Sequence, residues 1–461
     1  MIKVRFAPSP TGYIHIGNAR AALFNWLYVL KNNGNFILRF DDTDSSRSKE
    51  EYITAIKEDL DWLQIEVSNF YFQSKRTKLY DDAVEQLKQK GLLYPCYETS
   101  EELERKRKLR LARKLPPIYG RDALKLTEQE KRDYESEGRK PHWRFLLPNF
   151  DKSPFDVRRT LIEWDDVVRG KQIVDMGSIS DPVLVRADGS YLYTLPSVVD
   201  DIDMEITHII RGDDHITNTG AQIPIFNALG AKAPAFGHFN LLTTDSGAGL
   251  SKRKGDLAIR NLRNAGFEPM AVASLAVLIG SSKNVVAYDD MKSLSEVISS
   301  QDTSRSTAQF SENDLPNLNR QLVHRYEFEQ VKDRLAALNI EGEKAKLFWD
   351  NFKSNLTFVN EAKIWWEMLQ ANFDINVALS DDDKNYIKIA LEYLPTGQWD
   401  NQTWFNWCDK LKQVTGRKGK NLFMPLRLTL TGQEHGPDLA SILQLIGYQE
   451  AKNRLNNIIN K

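Results

Sequence analysis

The chain has 461 residues, which is too long for a single hydrophobic core and predicts about three domains. Its 62 basic and 63 acidic residues nearly cancel, so any nucleic-acid surface must be local. Hydrophobic residues at 41% and charged residues at 27% are typical of a soluble globular protein, and no apolar run approaches the roughly 20 residues that span a bilayer. Without a signal-peptide pattern at the N-terminus, we expect a cytoplasmic protein that does not contact membranes.

The first 40 residues predict a strand, a loop, a helix and a second strand. Ile2–Ala7 forms a short apolar strand, and apolar residues then recur at helical spacing until Asn33 and Gly34. Asn35–Phe40 is the second strand, and a crossover of this length indicates a parallel βαβ unit. A doubly wound sheet therefore begins here.

The loop between the first strand and the first helix, Ala7–Arg20 (APSPTGYIHIGNAR), suits a phosphate group. Pro8 fixes its backbone, and Gly17 lets a ligand approach closely. The helix that follows is expected to offer unpaired N–H groups and its positive end to an anion, with His15 as a further donor. On pattern alone, a tight connection with a capping histidine explains the loop equally well.

An acidic turn follows the second strand. Asp41–Asp44 is expected to line the same crevice as His15, because ligands bind at the carboxyl ends of parallel strands. Ser48 and Glu51 have the spacing of a capping box at the start of the next helix.

Between residues 94 and 190 the pattern changes to a charged helix and short β segments, which indicates an insertion. The β segments are His142–Leu146 and Trp164–Val174, and the pair Asp188–Gly189 predicts a type I′ hairpin. The helix carries a basic cluster at positions 105–114, which is either a solvated face or an RNA contact.

The sheet is expected to resume with Tyr193–Asp201 and Thr207–His215, and then with Gly237–Thr244 before the basic loop Asp245–Gly255. Beyond this loop the pattern is helical, and from about Asn313 onward no segment indicates a strand.

Two motifs in this chain resemble those of a known enzyme family. The string APSPTGYIHIGN resembles the first signature of class I aminoacyl-tRNA synthetases, in the form used by the glutamyl/glutaminyl branch. Leu250–Arg253 (LSKR) resembles the second signature. Asn18 replaces the second histidine of the first signature, and Gly249 replaces the first lysine of the second. The resemblance to bacterial-type glutamyl-tRNA synthetases covers essentially the whole chain.

This resemblance implies an α/β fold, with a Rossmann-like doubly wound catalytic domain that carries an α+β insertion and is followed by an all-α anticodon-binding region. The implied segments are the first half of the catalytic domain (1–93), an insertion that binds the tRNA acceptor end (94–190), the second half with the second signature (191–256), a helical region that contacts the tRNA stem (257–320) and the anticodon-binding region (321–461).

The implied reaction uses ATP with Mg²⁺ to activate L-glutamate as glutamyl-adenylate, and then transfers glutamate to the terminal adenosine of tRNA(Glu). Activation is expected to depend on bound tRNA, and the enzyme is expected to be a monomer. Whether tRNA(Gln) is charged as well or instead remains open. Two alternatives belong to other functional classes, a small-molecule nucleotidyltransferase and a non-catalytic tRNA-binding protein. The insertion and the long helical region argue against the former, and the intact signature residues against the latter.

The resemblance also assigns residues. The implied catalytic residues are His15, Gly17 and Lys252, and the implied ATP-binding residues are Pro8, His15, Gly17, Asn18, Ser251, Lys252 and Arg253. The implied glutamate-binding residues are Arg5, Ser9, Asp41, Tyr193 and Arg211. Of these, Arg5 is expected to select glutamate over glutamine, because an amide would present donors to a donor-only guanidinium.

No metal ligand is assigned, although many relatives carry a cysteine pair at the start of the insertion. Here Cys96 is followed by Glu98 at the position of the second cysteine, and Pro117–Asp122 contains none. Because Cys96 has no partner at metal-ligand spacing, we expect the protein to contain no zinc.

Overall fold

The computed structural model describes residues 1–44, 46–244, 257–299, 302–311, 313–370, 375–397, 399–400 and 402–460. The chain divides into two compact units. The first comprises Met1–Ala265 with Pro269–Asp314, and the second comprises Gly266–Glu268 with Leu315–Lys461. No helix in the described ranges is both long and apolar enough to cross a membrane.

The first unit begins with a parallel sheet. Its elements are β1 (Lys3–Phe6), α1 (Ile16–Asn32), β2 (Asn35–Phe40), α2 (Glu50–Trp62) and β3 (Asn69–Phe72). Strand β2 is central and runs parallel to both neighbours, with Val4 of β1 opposite Phe36 of β2. Almost every residue of β2 is buried, as expected for a parallel strand covered on both faces. The first two strands and the first helix are confirmed at their predicted positions.

Helix α2 begins in a different way from the sequence-based expectation. Lys49 is its N-cap and no side chain caps it, so the predicted capping box of Ser48 and Glu51 is wrong. The backbone N–H of Ser48 instead donates to the Asp44 carbonyl at 3.0 Å, and its hydroxyl is buried without a partner among the described residues. This turn moves the start of the helix, and Glu51 enters the first turn, where its charge favours the helix dipole.

The insertion is built on two small antiparallel sheets. The elements from here to its end are α3 (Thr77–Gln89), β4 (Leu93–Cys96), α4 (Ser100–Ala112), α5 (Glu128–Ser136), β5 (His142–Phe145), β6 (Leu161–Asp166), β7 (Gly170–Asp175) and β8 (Val183–Val185). Strands β4, β5 and β8 form one sheet, and β6 and β7 form a hairpin. Both predicted β segments of the insertion are therefore present.

The turn at Asp188 and Gly189 closes a hairpin, but not of type I′. Type I′ needs positive φ at both central residues, whereas here only Gly189 is left-handed, with φ of 85°. The Gly189 N–H donates to the Arg186 carbonyl at 2.9 Å, and Arg186 N–H donates to Ser190 at 2.8 Å. This is a type I turn followed by a glycine bulge, the three-residue alternative for the same sequence.

The parallel sheet resumes after the insertion. The remaining elements of the first unit are α6 (Thr194–Asp203), β9 (His208–Gly212), α7 (Ile216–Ala228), β10 (Ala235–Phe239), β11 (Leu242–Thr244), α8 (Ile259–Asn264), α9 (Pro269–Leu278), α10 (Met291–Val297) and β12 (Ala308–Phe310). Strands β9 and β10 are parallel, and the Thr207 N–H donates to the Lys3 carbonyl at 2.9 Å beside β1. Ile37, Ile209 and Phe236 share one hydrophobic core, so the two halves form one domain.

Two sequence-based expectations in this region are wrong. Tyr193–Asp201 is not a strand, because α6 buries Leu195, Val198 and Val199 at helical spacing. The region beyond the basic loop is not wholly helical, since β12 pairs in parallel with β11. A three-residue strand is too short to show a period in sequence.

The second unit is helical, and its described residues contain no strand. Its helices are α11 (Asp314–Arg325), α12 (Phe328–Ala336), α13 (Glu343–Phe352), α14 (Ala362–Leu369), α15 (Asp381–Glu392), α16 (Thr403–Thr415), α17 (Lys420–Thr431) and α18 (Leu439–Asn460). Trp349 and Trp407 are buried in its core, each donating its indole N–H to a backbone carbonyl. Phe405 is an exception to the apolar pattern, because its side chain is 55% exposed.

Candidate active site

A pocket of about 620 Å³ opens at the carboxyl ends of the parallel strands in the first unit. The ends of β1, β2, β9 and β10 line it, together with the start of α1 and the first turns of α6. This is the edge of an open α/β sheet at which ligands bind. The pocket brings together Arg5, Ser9, His15, Gly17, Asn18, Asp41, Tyr193 and Arg211, all of which the sequence singled out.

The other predicted site residues are not part of this pocket. The Pro8 carbonyl accepts a hydrogen bond from the Asp41 N–H at 3.0 Å, so Pro8 holds the backbone beneath the pocket and does not line it. Ser251, Lys252 and Arg253 lie outside the described residues, as does Gly249.

His15 caps helix α1 through a reciprocal pair of hydrogen bonds. Its Nδ1 atom accepts from the Gly17 N–H at 3.1 Å, and the Asn18 Oδ1 atom accepts from the His15 N–H at 3.2 Å. An imidazole that accepts at Nδ1 and is neutral carries its proton on Nε2. Burial lowers the pKa of His15 and so favours this neutral form. The Nε2–H group is then the donor that His15 can offer to a ligand.

The N-terminus of α1 does not offer the free N–H groups that the sequence led us to expect. The Ile16 N–H donates to the Leu257 carbonyl at 3.0 Å, and the Asn18 N–H donates to the His15 carbonyl at 2.9 Å. With the Gly17 N–H bonded to the His15 ring, the first amides of the helix all have partners. The side chains of His15 and Asn18 cap the helix, and the sequence pattern alone did not predict this.

Arg5, a lining residue of the pocket, forms a buried ion pair. Its Nε and Nη2 atoms donate to the two carboxylate oxygens of Asp201 at 3.1 and 3.2 Å. Both side chains are almost fully buried. The positive charge of Arg5 is therefore already balanced by the protein.

Arg39 is a pocket residue that sequence reasoning missed. It donates to Asp41 from Nε at 2.7 Å, to Asp201 from Nη1 at 2.9 Å and to Ser197 from Nη2 at 3.2 Å. Burial opposes its charge, yet these carboxylates and Asp200 raise the pKa of Arg39 above its usual value. An arginine inside the buried strand NFILRF was the available signal, because such a charge needs a partner.

Arg211, at the end of β9, is buried and lines the pocket. Its Nη2 atom donates to the Thr219 hydroxyl and to the Gln222 side-chain carbonyl, both at 2.7 Å. No carboxylate among the described residues pairs with it, and burial lowers its pKa to about 10. It remains protonated at neutral pH, so a buried positive charge stands beside the pocket without a counter-ion in contact.

The other residues predicted to bind glutamate, Ser9, Asp41 and Tyr193, are less buried than Arg5 and Arg211. The Tyr193 side chain is 39% exposed, and its hydroxyl lies 3.4 Å from His215 Nδ1. Ser9 is exposed at the pocket rim, and Asp41 turns its carboxylate toward Arg39 while lining the pocket. The pocket therefore combines cationic and anionic groups at one strand edge, as an amino acid with two carboxylates and an ammonium group requires.

A second cluster lies in the insertion, where Cys96 does have neighbours that sequence spacing did not reveal. The ligand atoms of Cys96, Glu98 and His142 lie within 4.8 Å of one another. The Tyr119 hydroxyl donates to Glu98 at 2.9 Å, and Lys106 donates to the same carboxylate oxygen at 3.0 Å. Burial raises the pKa of the Cys96 thiol to about 12. The cluster offers three ligand atoms where a structural zinc site uses four, and one oxygen of Glu98 already pairs with an ammonium group, so the cluster fits Zn²⁺ poorly.

The basic cluster of the insertion lies on α4, which buries none of its residues. Lys106 bridges Glu98 and Asp122, and Arg107 faces Glu104 at 3.3 Å. Part of the predicted positive charge is thus compensated within the insertion.

Comparison with protein families and relatives agrees with this arrangement. Residues 1–320 match the catalytic domain of class I tRNA synthetases (E and Q), and residues 313–459 match an anticodon-binding domain. The chain is 59% identical to glutamate–tRNA ligase 1 of Brucella ovis, an alignment that covers 98% of this chain and 99% of the relative. It is also 59% identical to glutamate–tRNA ligase 2 of Bartonella bacilliformis, over 99% of this chain and 100% of the relative.

A solved structure with the same fold spans the full length. The crystal structure of a glutamate–tRNA ligase from Elizabethkingia meningosepticum, in complex with its amino acid, matches with a TM-score of 0.84. The match covers 100% of this chain and 99% of the other, at 27% identity. These matches agree with the pocket at the strand ends, the split catalytic sheet and the helical second unit. The chain therefore belongs to the glutamate–tRNA ligases of the class I aminoacyl-tRNA synthetases.

Proposed function

We propose that this protein attaches L-glutamate to tRNA(Glu) at the expense of ATP, in two steps. Glutamyl-adenylate and pyrophosphate form first, and a ribose hydroxyl of the terminal adenosine of the tRNA then attacks the glutamyl carbonyl, forming an ester and releasing AMP. The observation that carries the proposal is Arg211, a buried guanidinium that lines the pocket without a carboxylate partner among the described residues. Such a group is suited to receive the carboxylate of an acidic substrate.

In the first step a glutamate carboxylate oxygen attacks the α-phosphorus of ATP. A bond forms between this oxygen and the α-phosphorus, and the bond between the α-phosphorus and the leaving pyrophosphate breaks. The substrate is its own nucleophile, so the protein contributes positioning and stabilisation of the charge on the phosphate oxygens. Catalysis in this pocket therefore depends on how its hydrogen-bond donors are oriented toward the substrates.

The glutamate subsite is assigned to the arginine side of the pocket. Arg211 and Arg5 provide positive charge for the side-chain carboxylate, and Tyr193 offers its hydroxyl beside them. Ser9, at the rim of the pocket, is assigned to the substrate carboxylate that attacks ATP. Asp41 offers the anionic partner for the ammonium group, held in place by Arg39 and by the Pro8 carbonyl.

ATP is assigned to the side of the pocket at the start of α1. The Nε2–H group of His15 donates to a phosphate oxygen, while Gly17 leaves room for the phosphate and Asn18 fixes the turn through its bond to His15. Ser251, Lys252 and Arg253 are assigned to the same nucleotide, with Lys252 acting on the charge that develops in the transition state. The nucleotide enters as its magnesium complex, so Mg²⁺ is treated as part of the substrate.

The other segments are assigned to tRNA. The insertion, residues 94–190, would hold the acceptor end, residues 257–320 would contact the stem, and residues 321–461 would bind the anticodon. We propose a cytoplasmic monomer without zinc, which light scattering and metal analysis of the purified protein can check.

Aminoacylation with radiolabelled glutamate tests this proposal. Purified tRNA(Glu) and purified tRNA(Gln) are offered separately, with ATP and Mg²⁺. The proposed function requires charging of tRNA(Glu). Charging of tRNA(Gln) alone would shift the assignment to a tRNA(Gln)-specific enzyme, and charging of both would identify a non-discriminating one. No charging of either would contradict the proposal.

A further inference from the structure

A chain of buried polar groups lies behind Arg211, outside the pocket lining. Asp166 ends strand β6 and His238 lies on β10, and both side chains are fully buried. The His238 Nδ1 atom lies 2.5 Å from Asp166 Oδ2, and its Nε2 atom lies 3.4 Å from Arg211 Nε. Neither Asp166 nor His238 lines the pocket itself.

Asp166 is held in one orientation by several donors. Its Oδ1 atom accepts from the backbone N–H groups of Val168, Arg169 and His238, at 2.9 to 3.0 Å. Its Oδ2 atom accepts from the Trp164 indole at 3.3 Å and faces His238. Burial acts to raise the pKa of Asp166, but these hydrogen bonds outweigh it and the pKa lies below its usual value. Asp166 is therefore an ionised and immobile carboxylate.

The hydrogen bonds around His238 fix its tautomer. A guanidinium N–H can only donate, so the His238 Nε2 atom that faces Arg211 must accept. The ring proton is then on Nδ1 and is donated to Asp166. Burial and the charge of Arg211 lower the pKa of His238, despite the opposing bond to Asp166, so the ring is neutral. The Thr219 hydroxyl, 3.0 Å from Nε2, also bonds to Arg211.

The five N–H groups of Arg211 divide into two sets. The Nε–H group faces His238, and the two on Nη2 face Thr219 and Gln222. Neither N–H group on Nη1 has an acceptor among the described residues. The protein thus occupies one edge of the guanidinium plane and leaves the Nη1 end to the pocket.

We propose that His238 is a positioning residue that orients Arg211 toward the side-chain carboxylate of the substrate, and that Asp166 fixes the tautomer in which His238 accepts from Arg211. This inference rests on the proposed function and deepens it. The bond at Nε fixes the plane of the guanidinium, which Thr219 and Gln222 hold only through Nη2. The two N–H groups left on Nη1 lie in the guanidinium plane, so the orientation of that plane decides whether they point at a substrate carboxylate.

The intervening imidazole explains why a carboxylate can support Arg211 without competing for it. Asp201 contacts Arg5 directly and uses two of its nitrogens. Asp166 instead contacts His238 and holds the imidazole in the tautomer that accepts from Arg211, while Nη1 stays available. The carboxylates whose charges favour the protonated form of Arg211 are Asp201 and Asp214. A substrate carboxylate then meets a positive charge that is retained and correctly aimed.

Two substitutions of His238 separate the bond to Arg211 from the bond to Asp166. The side chain of His238→Asn can keep a donor near the position of Nδ1, but it has no acceptor near Nε2. The side chain of His238→Gln can place its carbonyl oxygen near Nε2, but it has no donor near Nδ1. His208→Asn is the matched control, because His208 is a partly buried histidine on β9 outside the pocket lining.

The test is pyrophosphate exchange with the full-length protein in the presence of tRNA, with KM and kcat measured separately for glutamate and for ATP. We expect His238→Asn to raise the glutamate KM about tenfold or more, the usual effect of losing a hydrogen bond to a charged group, and to leave the ATP KM nearly unchanged. We expect His238→Gln to retain a glutamate KM within about threefold of the wild type. His208→Asn should leave both constants unchanged.

A glutamate KM that is unchanged in folded His238→Asn would overturn the inference, as would equal increases in the KM for glutamate and for ATP. If His238→Asn does not fold, His238→Gln decides alone, and a glutamate KM raised more than about tenfold counts against the inference. Failure of the proposed function is a different result, because the wild-type protein would then show no glutamate-dependent exchange.

Discussion

Arg5 and Asp201 form a two-point ion pair between the two halves of the catalytic sheet, with donor–acceptor distances of 3.1 and 3.2 Å. Arg5 therefore has a counter-charge in the absence of substrate, whereas Arg211 has no contacting carboxylate among the described residues. The sequence favoured Arg5 as the group that selects glutamate. The ion pair indicates that Arg5 also holds the pocket together, and the two roles can be separated by experiment.

We predict that Arg211→Ala lowers glutamate activation by about 10²- to 10³-fold, as loss of a preorganised charge at a substrate does, with little change in the thermal midpoint. Arg5→Ala should also lose activation, but with a lower midpoint, because Asp201 keeps only Arg39 as a charged partner. Exchange rates with glutamate and with glutamine, together with thermal unfolding, provide the measurement. Normal glutamate preference in Arg211→Ala with its loss in Arg5→Ala would return the selecting role to Arg5.

Replacement of Lys252, in the LSKR motif outside the described residues, should affect the chemical step. We predict that Lys252→Ala lowers the rate of activation by about two orders of magnitude or more, because it removes a charge that acts mainly in the transition state. Binding of tRNA, measured by filter retention, should change little. Near-normal activation would assign the role to Arg253 or Lys254, which the matched variants Arg253→Ala and Lys254→Ala would identify.

Activation should depend on tRNA. We expect glutamate-dependent pyrophosphate exchange to be weak with the protein alone and to appear when tRNA(Glu) is added. A tRNA of unrelated specificity serves as the control and should not support exchange. Equal exchange with and without tRNA would argue against the role assigned to the insertion.

The purified protein should contain no stoichiometric zinc, as measured by elemental analysis. Cys96, Glu98 and His142 offer three ligand atoms where a structural zinc site uses four, and the Lys106 ammonium group lies 3.0 Å from Glu98. Lys106→Met is the informative variant, because it removes this competing cation and exposes Cys96, Glu98 and His142 to added Zn²⁺. One zinc per chain in the wild-type protein would show that the cluster binds metal despite the lysine.

Asp59 gives a prediction about stability and pH. Its side chain is fully buried on α2, neither carboxylate oxygen has a hydrogen-bond partner among the described residues, and burial raises its pKa to about 6. A carboxyl group whose pKa is raised in the folded state costs stability as the pH rises from the pKa of the unfolded chain, about 4, to the folded value, and the full cost is present above that value. We predict that Asp59→Asn raises the thermal midpoint by a few degrees at pH 8 and by much less at pH 4. A pH-independent difference between the two proteins would contradict this assignment.

The sequence predicted the first strand, helix and second strand, because apolar spacing and the stop at Asn33 and Gly34 agree there. It did not predict that Tyr193–Asp201 is helical, since Val198 and Val199 also favour strands and only the buried spacing decides. The apolar pattern therefore located helices and strands correctly where either the helical or the strand period was clear.

Eight residues of the pocket lining could be predicted, because the resemblance carried them position by position. The partners that hold them could not, because Asp201 and Asp166 lie far in sequence from Arg5 and His238. Such long-range contacts between side chains depend on which elements become neighbours in the fold, and the apolar period of the sequence does not predict this. Arg39 was missed partly for the same reason, since Asp201 becomes its neighbour only in the folded protein, although its other partner Asp41 is close in sequence.

The distribution of charge across the catalytic sheet has a consequence for biosynthesis. The guanidinium groups of Arg5 and Arg39 precede the insertion, and the carboxylate that bridges them, Asp201, follows it. Among the described residues that precede the insertion, Arg39 pairs with Asp41, and Arg5 has no ion pair. On the ribosome the pocket therefore cannot be completed until the chain beyond Asp201 has emerged, and the whole insertion must emerge first. A chain that stops within the insertion carries the first signature motif without a pocket in which to use it.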